Sequence, residues 1–182
     1  MNIPNFLTTL RIALIPVLVV FFYIPIPYDN LICAAVFGLA GITDWLDGYL
    51  ARKMNQQSAF GAFFDPVADK LIVAAALVLL VERHASIWMT IPATVIVGRE
   101  IVISALREWM SEVGKRTSVA VSYIGKLKTT MQITSIVVLL LGHPGNWIAN
   151  LGLVLLWGAT VLTLWSMTLY LKAAWSNLTA EM

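Results

Sequence analysis

The chain has 182 residues, of which 59% are hydrophobic and 12% charged, with a formal net charge of +2 from 12 Lys/Arg and 10 Asp/Glu. Mean hydropathy is +0.83, whereas a soluble domain is typically about 45–50% apolar and about 25% charged. So few charges cannot solvate the surface of one soluble core, which excludes disorder, a nucleic-acid interface and an ordinary cytoplasmic globule.

At about 20 residues per span, six apolar runs follow in chain order. They cover Phe6–Tyr23 (ended by Pro25 and Pro27), Leu31–Arg52, Gly61–Val81, Ile87–Met110, Val121–Leu141 and Trp147–Leu171. None alternates with period two, and an open sheet could not satisfy its backbone in lipid. The expectation is an all-α integral membrane protein of about six transmembrane helices, forming a single domain over residues 1–182 with no soluble second domain. The first run has no basic leader or small-residue cleavage site, so it reads as a retained span. Cys33 lies in an apolar run and is the only cysteine. Basic residues set the orientation. Arg52 and Lys53 follow the second run, Lys115 and Arg116 follow the fourth, and Lys172 follows the sixth, while the opposite loops carry only Arg83. The positive-inside rule then places both termini in the cytoplasm. Trp88 and Trp147 begin their helices on the far side, as interfacial anchors do.

Four acids break the apolar pattern. Asp44 and Asp47 are three apart, and Asp65 and Asp69 four apart, so each pair shares a helix face on two antiparallel helices joined around residues 53–60. A carboxylate at mid-bilayer costs about 2.5–3.5 kcal/mol on insertion scales. At 1.5 Å per residue, Asp47 and Asp65 lie roughly 6–9 Å from that loop, and Asp44 and Asp69 roughly 12–14 Å. Asp65 before Pro66 also suits a helix cap. Two pairs on adjacent helices suit a site for hard divalent cations, and four carboxylates suit a two-metal site. Gly48 and Gly61 fit either tight helix packing or close approach of a ligand to backbone.

The stretch Asp44-Trp-Leu-Asp47-Gly48-Tyr-Leu-Ala51-Arg52, followed by Gly61, Asp65 and Asp69, has the form D-x2-D-G-x2-A-R-x8-G-x3-D-x3-D. It resembles the complete signature of the CDP-alcohol phosphotransferases. Within that family the chain is similar to the bacterial phosphatidylglycerophosphate synthases, through Asn2-Ile-Pro4-Asn5-x-Leu-Thr8-x-x-Arg11, Phe64-Asp65-Pro66-Val-Ala-Asp69-Lys70 and Gly125-Lys126-x-Lys128-Thr129.

The resemblance implies transfer of a phosphatidyl group from CDP-diacylglycerol to an alcohol, with release of CMP. The implied acceptor is glycerol 3-phosphate; inositol phosphate or phosphatidylglycerol are alternative acceptors, and a divalent-cation transporter is the alternative of another class. By the same resemblance Asp44, Asp47, Asp65 and Asp69 are metal ligands for two Mg²⁺ or Mn²⁺ ions, and Asp69 is the general base. Gly48, Arg52, Ser58 and Gly61, with Asn5 and Thr8 from the first helix, are expected to contact CDP-diacylglycerol. The competing reading of Arg52 is a positive-inside charge, and Asn5 and Thr8 are equally helix-capping or backbone-bonding residues. Glycerol 3-phosphate is a dianion, so Arg99, Lys126 and Lys128 are candidates for its phosphate. The competing reading pairs Arg99 with Glu100 or Glu108 and leaves the lysines as positive-inside charges. Arg107, Lys115 and Arg116 read as surface charges, and His84 and His143 lie in far-side loops. The expected setting is the bacterial inner membrane, with the site facing the cytoplasm, as a homodimer among membrane lipids and without nucleic acid.

Overall fold

The computed structural model describes residues 3–54, 59–112 and 123–178, with side chains described for 6–44, 46, 61, 64–110, 112, 125 and 127–172. They form six helices: α1 (Ile3–Tyr23), α2 (Asp29–Met54), α3 (Ala59–His84), α4 (Ile87–Glu112), α5 (Tyr123–Leu141) and α6 (Trp147–Leu178). The described residues contain no strand. The chain is an all-α integral membrane protein. Three helices, α1, α4 and α6, are long and apolar enough to cross a bilayer. Helices α2 and α3 carry the acids of the sequence motif among their apolar residues, and α5 has an apolar part over Leu127–Leu141. The 32 residues of α6 extend about 48 Å, beyond a hydrocarbon core of about 30 Å, so part of this helix lies outside it.

Helix boundaries follow local chemistry. Helix α2 starts at Asp29, two residues before the apolar run, because an acid in the first turn suits the positive end of the helix dipole. Between α3 and α4, Ala85 turns the chain at φ 42° and Ser86 caps α4, its Oγ accepting from Trp88 N at 3.3 Å. Asn146 caps α6 through its Oδ1, which accepts from Ala149 N at 2.8 Å. Gly145 beside it sits at φ 91°, where a side chain would be strained.

Helix α1 packs against both α2 and α3, α5 lies along α6, and α4 contacts α3 and α6. Among the described residues, α2 and α3, expected as direct neighbours, touch each other less than each touches α1. The core runs through Leu18, Phe37, Leu77, Leu80, Met89, Ile96, Ile136, Leu139 and Leu156, all buried. At the far end from the acids, Arg83 ties helices together. It donates to Asn30 Oδ1 at 2.6 Å, lies 3.7 Å from Asp29 and stacks 4.1 Å from the Phe22 ring centroid. The one basic residue of the far-side loops is thus held within the bundle. Trp88 and Trp147 are exposed there, and Trp157 Nε1 donates to the Trp88 carbonyl at 3.0 Å.

The α5–α6 contact depends on Gly152. A Cβ there would meet Leu139 Cγ at 2.7 Å and its backbone N at 3.1 Å. Gly152→Ala therefore overpacks the seam and should destabilise the fold by about 1–3 kcal/mol. Thermal unfolding in detergent micelles should show this as a lowered Tm, and an unchanged Tm would contradict it.

Candidate active site

The acids end up where α1, α2 and α3 converge. Asp44 from α2 and Asp65 and Asp69 from α3 line one cavity of about 390 Å³, which α4 and α5 complete from the other side. Phe37, Ile72, Val73 and Ile133 provide its apolar wall. The cavity therefore has an ionic end and an oily wall, as a site for a lipid with a charged headgroup requires.

Each acid gains its position through a partner on α1. Thr8, 1% exposed, donates its hydroxyl to Asp65. Arg11, also 1% exposed, uses Nη1 to bond Asp69 and to approach Asp44 Oδ1 at 3.3 Å. One guanidinium nitrogen thus links acids from two helices. The side chains of Asp44 and Asp69 remain 48% and 43% exposed, which leaves both carboxylates open to the cavity. The expected ligands Asp44, Asp65 and Asp69 thus share one site. The side chains of Asp47, Gly48, Arg52, Asn5 and Lys126, and all of Ser58, lie outside the described residues. Gly61 is buried in α3.

Carboxylates are the donor set that hard divalent cations prefer, and the three described acids fit such an ion by chemistry and by a shared cavity. Among the described residues, however, no three acidic, histidine or cysteine side chains are gathered closely enough to enclose one ion. Arg11 instead lies between Asp44 and Asp69.

The opposite wall is basic and comes from α4 and α5. Lys128, 4% exposed, lines the cavity and donates to Glu100 Oε1 at 3.0 Å. Arg99 donates to the same oxygen at 2.7 Å and to Ser166 Oγ on α6 at 3.0 Å. Arg99 does not line the cavity, whereas its neighbour Glu100 does. The Arg99–Glu100 pairing, weighed as an alternative from sequence, is present. Arg107, read from sequence as a surface charge, lines the cavity and donates to Tyr170 OH at 3.0 Å. Thr129 and Gln132 add polar groups beside Lys128.

Sequence reasoning passed over Arg11, Glu100, Arg107 and Gln132 as site residues. For Arg11 a signal existed, since it is a cation inside the apolar window Phe6–Tyr23, and an intramembrane charge marks a functional site as much as an intramembrane acid does.

Comparison with known proteins bears on the same residues. The family model described as CDP-alcohol phosphatidyltransferase matches residues 1–165. Proteins named CDP-diacylglycerol–glycerol-3-phosphate 3-phosphatidyltransferase are similar throughout. One from Salmonella typhimurium (strain LT2) is 54% identical over 177 residues, covering 97% of each chain. One from Escherichia coli (strain K12) is 52% identical over 177 residues, again covering 97% of each. Matched along nearly its whole length, the chain belongs to the CDP-alcohol phosphatidyltransferase family.

Proposed function

We propose that this enzyme transfers the phosphatidyl group of CDP-diacylglycerol to sn-glycerol 3-phosphate, giving phosphatidylglycerophosphate and CMP. The observation that carries the reading is the two-ended cavity, with Asp44, Asp65 and Asp69 at one end and Lys128 and Arg107 at the other. The relatives' names supply the substrates.

The reaction is a phosphoryl-type displacement. The acceptor hydroxyl oxygen attacks the phosphorus that bears diacylglycerol, the bond from that phosphorus to the CMP phosphate oxygen breaks, and CMP leaves with the bonding electrons. The hydroxyl proton passes to Asp69. A carboxylate is a weak base for an alcohol, so its contribution depends on position at the reacting oxygen. Members of this family generally depend on a divalent metal. In this reading Asp44, Asp47, Asp65 and Asp69 would hold two Mg²⁺ or Mn²⁺ ions, which when bound would supply polarisation of the pyrophosphate and stabilisation of charge on CMP. Gly48, Arg52, Ser58 and Gly61, with Asn5, contact the nucleotide and pyrophosphate, Arg52 through its planar fork. Thr8 acts through Asp65, to which it donates.

The acceptor's phosphate binds Lys128 and Arg107, with Lys126 as a further candidate from the sequence, and Arg99 supports this wall through Glu100. The apolar residues Phe37, Ile72 and Val73 border the path of the acyl chains. Basic loops on one side support cytoplasmic termini and a site facing the cytoplasm, in a bacterial inner membrane. Resemblance to the family supports a homodimer.

An acceptor panel tests the reading. Purified enzyme in micelles receives CDP-diacylglycerol and Mg²⁺ with glycerol 3-phosphate, glycerol, inositol phosphate, serine or phosphatidylglycerol, and CMP is quantified. Release with glycerol 3-phosphate alone is expected. Release with a different alcohol would keep the chemistry and discard the acceptor, and silence with every acceptor would overturn both.

A further inference from the structure

Arg11 lines the ionic end of the cavity, yet the reaction above gives it no part. It lies within the apolar window of α1 and is 1% exposed, so water does not solvate its charge. A buried guanidinium persists only beside compensating anions. It has them on two other helices, Asp69 on α3 and Asp44 on α2 at 3.3 Å. Those carboxylates are about half exposed toward the cavity, so a cation entering the cavity meets acids already partly neutralised from behind. Acids placed together in a membrane repel one another and raise the cost of the fold. A fixed internal cation offsets that repulsion and at the same time weakens the pull on a divalent ion, since both positive charges share the same two carboxylates.

We propose that Arg11 is a built-in counter-cation of the carboxylate cluster, a positioning residue that holds the fold together before metal binds and sets the metal affinity of the site. The inference rests on the reading of Asp44 and Asp69 as metal ligands. It separates the two jobs of an arginine, because charge is kept by lysine and lost in glutamine, whereas the planar fork is lost in both.

The test is a Mn²⁺ titration of purified enzyme in micelles without either substrate, reading free Mn²⁺ by electron paramagnetic resonance. Arg11→Gln should bind Mn²⁺ at least tenfold more tightly than the wild type, and Arg11→Lys within about threefold of it. Thermal unfolding in EDTA and in Mn²⁺ gives the second readout: metal should raise the Tm of Arg11→Gln more than that of the wild type. If Arg11→Gln can be isolated folded only with Mn²⁺ in the buffers, the account holds, because the ion then supplies the missing charge. Unchanged or weaker Mn²⁺ binding by folded Arg11→Gln would overturn it. So would equal tightening in Arg11→Lys, or a glutamine variant that folds neither with nor without metal. Asp44→Asn and Asp69→Asn serve as controls. If neither weakens Mn²⁺ binding by the wild-type background, the ligand assignment fails with the inference. If they weaken it and Arg11→Gln does not tighten it, only the inference fails.

Discussion

Asp69→Asn should lower the rate of CMP release by about 10³-fold or more while leaving the protein folded. A positioned general base contributes typically ~10²–10⁴-fold, and the same substitution weakens a proposed metal ligand, so the two losses act on one step. The fold should survive for a reason visible in the structure. Asp69 is 43% exposed to the cavity, so an amide there is not sealed into apolar core. Asparagine retains an oxygen that accepts from Arg11, and Arg11 keeps Asp44 at 3.3 Å as its charge partner. Circular dichroism and the Tm in micelles check folding, and CMP release under saturating CDP-diacylglycerol checks activity. A folded Asp69→Asn variant with wild-type turnover would remove Asp69 from the chemistry.

The second large effect is expected at Lys128, and its contrast with Arg99 matters more than its size. Lys128 lines the cavity, whereas Arg99 lies behind Glu100 and is fixed to Ser166. A hydrogen bond to a charged group is worth about 1.5–3 kcal/mol. Lys128→Gln should therefore raise the KM for glycerol 3-phosphate by about 10- to 100-fold, with the KM for CDP-diacylglycerol little changed. Glu100 keeps Arg99 as a partner at 2.7 Å in that variant, which protects the fold. Arg99→Ala instead breaks a mostly buried pair and strands a hydrogen-bonding hydroxyl on α6, so its main effect should be a lower Tm. Initial-rate kinetics over both substrates, with unfolding measured alongside, would show the split. A larger rise in acceptor KM for Arg99→Ala than for Lys128→Gln would reverse the assignment of the two residues.

These contrasts also show what a sequence can and cannot convey here. The six helices were legible because each apolar run is close to a bilayer in length and turn chemistry separates them, and the largest difference is at the end of α6, which runs on to Leu178. The spacing of Asp44, Asp65 and Asp69 placed them on helix faces, and all three line one cavity. What local spacing could not convey was rotation and partnership between helices. Successive helical residues point about 100° apart, so the depth of Arg99 in its span did not reveal that Glu100 faces the cavity and Arg99 does not. Arg107, two turns further on, is superficial by depth and lines the cavity. Likewise, the partners of Arg11 and Thr8 lie more than 30 residues away in sequence, on helices that α1 crosses. No window along the chain contains that contact.

The central claim is that this cavity joins a phosphatidyl group to glycerol 3-phosphate. The most direct measurement uses glycerol 3-phosphate labelled with ¹⁸O in its attacking hydroxyl, with mass spectrometry of both products. The account predicts that the wild-type enzyme forms labelled phosphatidylglycerophosphate and unlabelled CMP in equal amounts, and that Asp69→Asn forms almost none of either. Label in CMP, CMP released without a new phospholipid, or undiminished product from folded Asp69→Asn would contradict it.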